Sequence, residues 1–250
     1  MDTSSFADDH LLINGFPVFV RGGEIHYFRL SAATWSDRLA LAGEGGLNTV
    51  SSYIPWCEHE PDEGELDFTG RTRPERNLRR FLRLVDDKGL YFIARPGPFI
   101  NSELRYGGMP SWLYRDHPAT LSRRADGARV TGRPAPAEGE PVYRRYVRRW
   151  YENVVPVIAE FSIDRGGPVI MFQPDNEISA GWTFGLLNSL YDPTVLNERW
   201  PGWLRQQYGD VAAINERYES NYDGFDEVAP PRRFPKSDAG KRRCVDWMNF

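Results

Sequence analysis

Val169-Ile-Met-Phe-Gln-Pro-Asp-Asn-Glu177 is an apolar run that ends, without a spacer, in two amides, a proline and two carboxylates. Bounded upstream by Gly166-Gly167-Pro168, it reads as a buried strand that surfaces at its C-terminal end. Strict alternation along an extended chain puts Gln173, Asp175 and Glu177 on one face and Asn176 on the other. Asn176 and Glu177 can therefore meet one ligand only if the chain bends, and Pro174 marks a place for the bend. Burial and a neighbouring like charge both favour the protonated form of a carboxyl in such a position, as a general acid requires.

Upstream of this stretch the pattern is helical. From Val142 to Phe161, the residues Tyr146, Trp150, Val154, Ile158 and Phe161 form one apolar stripe, with a kink expected at Pro156. Further back, Leu90–Arg95 reads as a strand. Before it lies a helix from Pro74 with Leu78, Phe81, Leu82 and Val85 on one face, ended by Lys88-Gly89. Leu47–Tyr53 reads as another strand, and a helix capped by Ser31 or Thr34 places Trp35, Leu39 and Ala42 together before Gly45-Gly46. Phe16–Val20 and Glu24–Leu30 are expected strands, Pro55–Gly70 is an expected irregular loop, and Asp126–Glu140 is an expected surface loop. Beyond Glu177 the helix-like pieces Asn197–Tyr208 and Val211–Tyr218 precede a turn at Pro230-Pro231.

Strands alternating with helices predict an α/β fold with a parallel sheet. Four barrel-type strands occur by Glu177 and no clear fifth before Phe250, whereas a closed barrel has eight. The expected architecture is the (β/α)8 TIM-barrel type, of which residues 1–250 hold only the N-terminal part of the catalytic domain, about four βα units, with the barrel incomplete.

Net charge is −4, and the basic residues are scattered or sit at helical spacing, which argues against nucleic acid as a partner. Aromatic residues make up 14% of the chain, with eight Trp, a composition that suits either sugar stacking or a core of large side chains. The N-terminal residues carry acids and no basic leader, and no long apolar run follows, so a cytoplasmic protein with no membrane contact is expected. Cys57 and Cys244 are far apart and outside any Cys-x-x-Cys spacing, and His26 and His59 lack a third ligand. Neither a disulfide framework nor a metal site is expected.

In α/β barrels, reactive side chains follow the strands directly. Here the strand ends carry Arg29, then Tyr53, Trp56 and His59-Glu60-Pro61, then Arg95 with Asn101-Ser102-Glu103, then Gln173, Asp175, Asn176 and Glu177. One polar strand end means only that solvent begins there; four in succession point to a site. Arg29 and Arg95 read as groups that orient site carboxylates, while Trp56, Trp112 and Trp182 suit either a sugar subsite or the core.

Four stretches, in order, carry a family likeness: Gly23-Glu-Ile-His-Tyr-Phe-Arg29, Asn48-Thr-Val-Ser-Ser-Tyr-Ile-Pro-Trp56 with His59-Glu-Pro61, Arg95-Pro-Gly-Pro-Phe-Ile100 with Gly107-Gly-Met-Pro-Ser-Trp-Leu113, and Gly167 to Glu177. Over roughly residues 12–179 the chain resembles glycoside hydrolase family 35, the β-galactosidases. The resemblance implies retaining hydrolysis of terminal non-reducing β-galactosyl residues by double displacement, with a β-galactoside as the partner molecule and no cofactor. It also implies that Glu177 is the acid/base, that Asn176 binds the sugar 2-hydroxyl, and that Tyr53, Asn101, Ser102 and Glu103 hold the other hydroxyls.

The chain departs from that pattern at Asn101-Ser-Glu-Leu104, where the family usually has Cys-Ala-Glu-Trp, and at Asp175-Asn-Glu-Ile-Ser179, where it has Glu-Asn-Glu-Tyr-Gly. Asp175-Asn-Glu-Ile and Gln207-Tyr-Gly-Asp210 also resemble family 42. The nucleophile comes from a late strand in this clan, and Glu198, Glu216, Glu219 and Glu227 lie in helix-like or turn-like surroundings. The expectation is a fragment without its nucleophile, inactive alone and prone to self-association through exposed strand edges. The alternatives are a clan member acting on another β-glycoside and a non-catalytic sugar-binding fragment.

Overall fold

A computed structural model describes residues 3–7, 10–131, 135–177, 185 and 187–250. The chain divides into two compact units, Met1–Leu113 with Val147–Glu177, and Tyr114–Tyr146 with Ile178–Phe250.

The first unit opens with an antiparallel meander of β1 (Ser4–Ala7), β2 (His10–Ile13) and β3 (Phe16–Val18). Asn14 and Gly15, at φ 54° and 79°, form the two-residue turn between Ile13 and its partner Phe16. Two consecutive positive φ angles match the right-handed twist of a hairpin, and Asn-Gly is the dipeptide that tolerates them. Leu11 and Ile13 of β2 pack in a cluster with Ile170.

The second sheet is parallel and ordered β4 (Gly22–Glu24), β5 (Thr49–Tyr53), β6 (Tyr91–Gly97), β7 (Val169–Pro174). Neighbours in sequence are neighbours in space, as βαβ crossovers require. The strand expected over Glu24–Leu30 is displaced: pairing runs from Gly22↔Thr49 to Glu24↔Ser51, and Tyr27–Arg29 is a 3-10 turn. Glu24–Leu30 is composed like a strand, but its pairing stops at Glu24 and the chain turns at Tyr27–Arg29, where Tyr27 and Phe28 are both buried. Gly23 lies so close to the layer of Leu47 that a Cβ would come within 2.7 Å of Leu47 Cδ1.

Helices α1 (Trp35–Glu44) and α3 (Leu78–Asp87) flank the short α2 (Trp56–His59) in sequence. Trp35, Leu39, Phe81, Leu82 and Val85 are fully buried along with Val50 and Phe92 of the sheet. Each such side chain contributes about 1.5–3 kcal/mol by leaving water. The Asn77 side chain caps α3 by accepting the Arg80 N–H at 2.9 Å. Next come α4 (Ser111–Asp116) and α5 (Pro141–Ala159), which continues through Pro156.

The second unit has its own core, built on Tyr191, Val195, Trp200, Leu204, Ile214, Tyr218, Val228 and Trp247. A π-helical turn, Val195–Arg199, leads into α6 (Trp200–Tyr208), followed by α7 (Val211–Tyr218) and α8 (Asp238–Asn249). Asp246 of α8 is buried among Tyr208, Tyr218 and Arg217; both phenols donate to it at 2.6 Å and the guanidinium at 3.0 Å. The expected surface loop over Asp126–Glu140 is partly interior: Ala135 and Ala137 are buried, and Leu121 bridges to Pro136. Among the described residues no helix is long and apolar enough to cross a membrane.

Candidate functional site

Arg95 ties together the ends of all four parallel strands. One of its Nη atoms donates to the Glu24 carboxylate at the end of β4. The other donates to Tyr53 Oη at 2.5 Å, at the end of β5, and to Asn176 Oδ1 at 3.0 Å, just beyond β7. The guanidinium also lies 3.9 Å from the centre of the Tyr53 ring. A planar donor fork in a largely buried place can hold several acceptors at once, which an ammonium on a flexible stem does less well. The expectation that Arg95 orients site carboxylates matches this geometry, and Glu24 is the carboxylate it holds; Glu24 lies in the Gly23–Arg29 motif but not among the residues expected to bind sugar.

The loop after β6 is stitched to the end of β7. Asp175 N donates to Gly97 O at 2.8 Å, Phe99 N donates to Asp175 Oδ1 at 2.9 Å, and Asn176 Nδ2 donates to Ile100 O at 3.0 Å. Gln173 Nε2 adds a bond to Asn176 Oδ1 at 3.1 Å. Asn101 Nδ2 donates to Glu177 Oε2 at 2.5 Å. The bend that Asn176 and Glu177 need is present: β7 stops at Pro174, and Asp175 and Glu177 have φ of 59° and 54°. Asn101, Ser102 and Glu103 form a second left-handed run at φ 55°, 49° and 50°. Such backbone costs about 1–3 kcal/mol per residue outside glycine and persists only where neighbours hold it, a pattern that gathers at functional sites.

Room for that loop comes from Gly107-Gly108. Ile100 N donates to Gly107 O at 2.8 Å, and a Cβ on Gly107, at φ 65°, would lie 2.1 Å from the Phe99 ring. Arg29 donates to Ser102 O and stands 3.9 Å from the Glu103 carboxylate. Glu103 itself projects into solvent, its side chain 87% exposed.

Burial, outweighing the N–H groups of Phe99 and Asn176, pushes the Asp175 carboxyl up to about 6. Burial also raises the Tyr53 phenol; Glu24, Glu177 and Glu103 add to that rise, and Arg95 opposes it. The three carboxylates thus share one electrostatic neighbourhood with Tyr53. His26 stacks on Tyr53 at 5.1 Å and lies 3.4 Å from Glu24 Oε2, while burial lowers its pKa and favours the neutral ring.

Several sequence candidates are core residues. Trp56 and Trp112 are buried, donating from Nε1 to Glu60 Oε2 at 2.6 Å and to Glu60 O at 2.9 Å. Neither can stack on a sugar; Trp182 lies outside the described residues. His59 is wholly buried between Tyr27 Oη at 2.5 Å and Asp67 O at 2.6 Å, and burial lowers its pKa to about 4. Glu60 is also buried, paired with Arg149 at 2.5 Å. His59-Glu60 is therefore a brace under the strand ends. Glu198, Glu216, Glu219 and Glu227 are all exposed. No group of three or more His, Cys, Asp and Glu among the described residues could hold a metal ion.

Comparison with known proteins shows what the chain is similar to. The family model for Glycosyl hydrolases family 35 matches residues 10–189. An exo-β-D-glucosaminidase of Pyrococcus horikoshii is 37% identical over 238 residues, covering 93% of this chain and 30% of its own. A β-1,2-glucosyltransferase of Ignavibacterium album is 34% identical, covering 90% of this chain and 31% of its own. The human β-galactosidase-1-like protein 3 is 34% identical over 67% of this chain and 23% of its own. The chain thus spans about a third or less of the length of these relatives. The crystal structure of a β-galactosidase from the psychrophilic Marinomonas ef1 superposes with a TM-score of 0.64 at 20% identity, over 91% of this chain and 33% of that one, a likeness of fold.

Proposed function

The chain belongs to glycosyl hydrolases family 35, and from that premise we propose that it carries the acid/base half of a retaining, β-galactosidase-like exo-glycosidase. The four-stranded parallel sheet is read as the first four strands of a (β/α)8 barrel. Glu177 protonates the departing glycosidic oxygen and then takes a proton from the attacking water. Asn101 fixes the orientation of that carboxyl through Oε2. Arg95 and Gln173 hold the Asn176 amide at the strand end, beside the sugar 2-position. Tyr53 and the Ser102–Glu103 turn supply donors and acceptors for the remaining hydroxyls.

The observation that carries the reading is the convergence of Glu177, Asn101 and Asn176 at the ends of adjacent strands. The nucleophile, about 5–5.5 Å from the acid/base in retaining enzymes, is assigned to residues outside these 250. The 250-residue chain alone is then inactive and associates through β4 and β7, the edges of its parallel sheet.

A longer form of the protein, as long as its relatives, tests this. Glu177→Gln should lower kcat for a nitrophenyl β-galactoside by about 10²–10⁴. Activity within twofold of wild type would sink the assignment. A second reading, a terminal β-D-glucosaminide as substrate, is favoured by relatives of that activity aligning over nearly the whole chain. Leu104 adds to it, standing where β-galactosidases of the family usually carry an aromatic ring. The neutral Asn176 amide speaks for a 2-hydroxyl, since a 2-ammonium is better met by a carboxylate. The ratio of kcat/KM on nitrophenyl β-galactoside and β-glucosaminide separates the two.

A further inference from the structure

Residues 229–243, Ala-Pro-Pro-Arg-Arg-Phe-Pro-Lys-Ser-Asp-Ala-Gly-Lys-Arg-Arg, carry six cations and one acid in a chain whose net charge is −4. Lys241 pairs with that acid, Asp238, and Arg242 with Glu219. The other four, Arg232, Arg233, Lys236 and Arg243, line one cavity of about 770 Å³ between the proline-rich loop and the start of α8. Among the described residues, no carboxylate lines that cavity. Arg232 donates to the Ala125 carbonyl, and Arg243 reaches Ala229 O and Tyr222 Oη, each at 3.4 Å; among the described residues neither pairs with an acid. Phe234, 72% exposed, stands on the same wall.

Clustering four like charges costs free energy through mutual repulsion. Three prolines, two of them buried, stiffen the loop that holds the charges together. A water-filled concavity with several unneutralised cations concentrates anions, and guanidinium groups bind carboxylate, sulfate and phosphate through paired N–H donors. An exposed aromatic ring in the wall offers an apolar face to the C–H surface of a pyranose. The volume accommodates two or three sugar rings.

We propose that this cavity is a binding site for an acidic oligosaccharide, its carboxylate or sulfate groups held by Arg233, Lys236, Arg232 and Arg243 and one ring packed on Phe234. The site lies wholly in the second unit and uses none of the residues assigned to catalysis, so it stands or falls apart from the glycosidase reading.

Calorimetric titration of the chain with trigalacturonate, a sulfated trisaccharide, cellotriose and inorganic phosphate tests it. One or both acidic trisaccharides should bind saturably, the neutral one should not, and phosphate should bind at least about tenfold more weakly than the better trisaccharide. Affinity should fall severalfold between low salt and 0.3 M NaCl. Arg233 and Lys236 are exposed, so Arg233→Ala/Lys236→Ala should fold normally and weaken binding about tenfold or more, whereas Arg233→Lys, which keeps the charge but not the paired donors, should weaken it less than the double variant does. Phe234→Ala should weaken trisaccharide and leave phosphate unchanged. Absence of saturable binding, equal binding of cellotriose or phosphate, or affinity unchanged in the double variant would each overturn the proposal.

Discussion

Asp175→Asn should make the protein more stable, and the gain should grow with pH. The Asp175 carboxyl sits at about 6, against an ordinary value of 3.8, because burial penalises its charged form. A carboxyl with a raised pKa in the folded state favours folding below its unfolded value, and that advantage is lost as pH rises through the folded value. Between 3.8 and 6 the native state therefore falls behind, and above about pH 6 the deficit is constant. At 1.36 kcal/mol per pK unit, the full difference is about 3 kcal/mol at pH 7.5, and about 1.6 kcal/mol at pH 5. Asparagine keeps an Oδ1 to accept the Phe99 N–H at the same 2.9 Å position and carries no charge to bury. Urea unfolding of wild type and variant at the two pH values isolates this one group, since all other titrations cancel in the difference. The variant's gain should be larger at pH 7.5 than at pH 5 by about 1.4 kcal/mol. A gain independent of pH, or larger at pH 5, would show that Asp175 is ionised at no cost and would refute the reasoning.

Arg95→Met should lower stability by about 2–3 kcal/mol, because it removes in one step the donor shared by Glu24, Tyr53 and Asn176; denaturant midpoints measure it, and a loss under 0.5 kcal/mol would mean the four strand ends are held otherwise. Gly107→Ala should cost about 3 kcal/mol, since its Cβ would overlap the Phe99 ring at a φ of 65°; the same measurement applies, and a neutral result would contradict the tight seat of the loop. The Cys57 thiol is pushed up to about 12 by burial, so its alkylation by iodoacetamide at pH 8 should be at least tenfold slower in the native protein than in urea. Mass spectrometry of the labelled peptide reads the rate, and equal rates would place Cys57 in solvent.

Much of the fold was legible because its signals are local. The stripe Leu78, Phe81, Leu82, Val85 and the run Leu47–Tyr53 announce their periods within ten residues, and Val211–Tyr218 has the ends expected of it. The first strand was misplaced because Glu24–Leu30 is composed like a strand, while pairing was decided by close packing of Gly22–Glu24 on β5, a contact between residues far apart in sequence. The Asn14-Gly15 turn was a readable signal for the meander. So was Ser237, whose side chain caps α8 by accepting the Gly240 N–H at 3.2 Å. The strands that the turn joins are only four and three residues long, and α8, though twelve residues long, opens on the weakly patterned Asp238-Ala-Gly-Lys-Arg-Arg243.

For the site, sequence alone determined which residue types gather at the strand ends and in what order, since each follows its own apolar run. It could not say which of them stay open to solvent and which are buried. His59, Glu60, Trp56 and Trp112 stand in the same kind of position as the partly exposed Asn101 but are sealed inside, and Tyr53 is itself nearly closed off at 7% exposure. Arg95 gathers Glu24, Tyr53 and Asn176, and Asn101 meets Glu177, across 42 to 81 residues of chain. Only tertiary structure decides such pairings, because burial and hydrogen-bond geometry depend on groups that the sequence separates and the packed sheet brings within 3 Å.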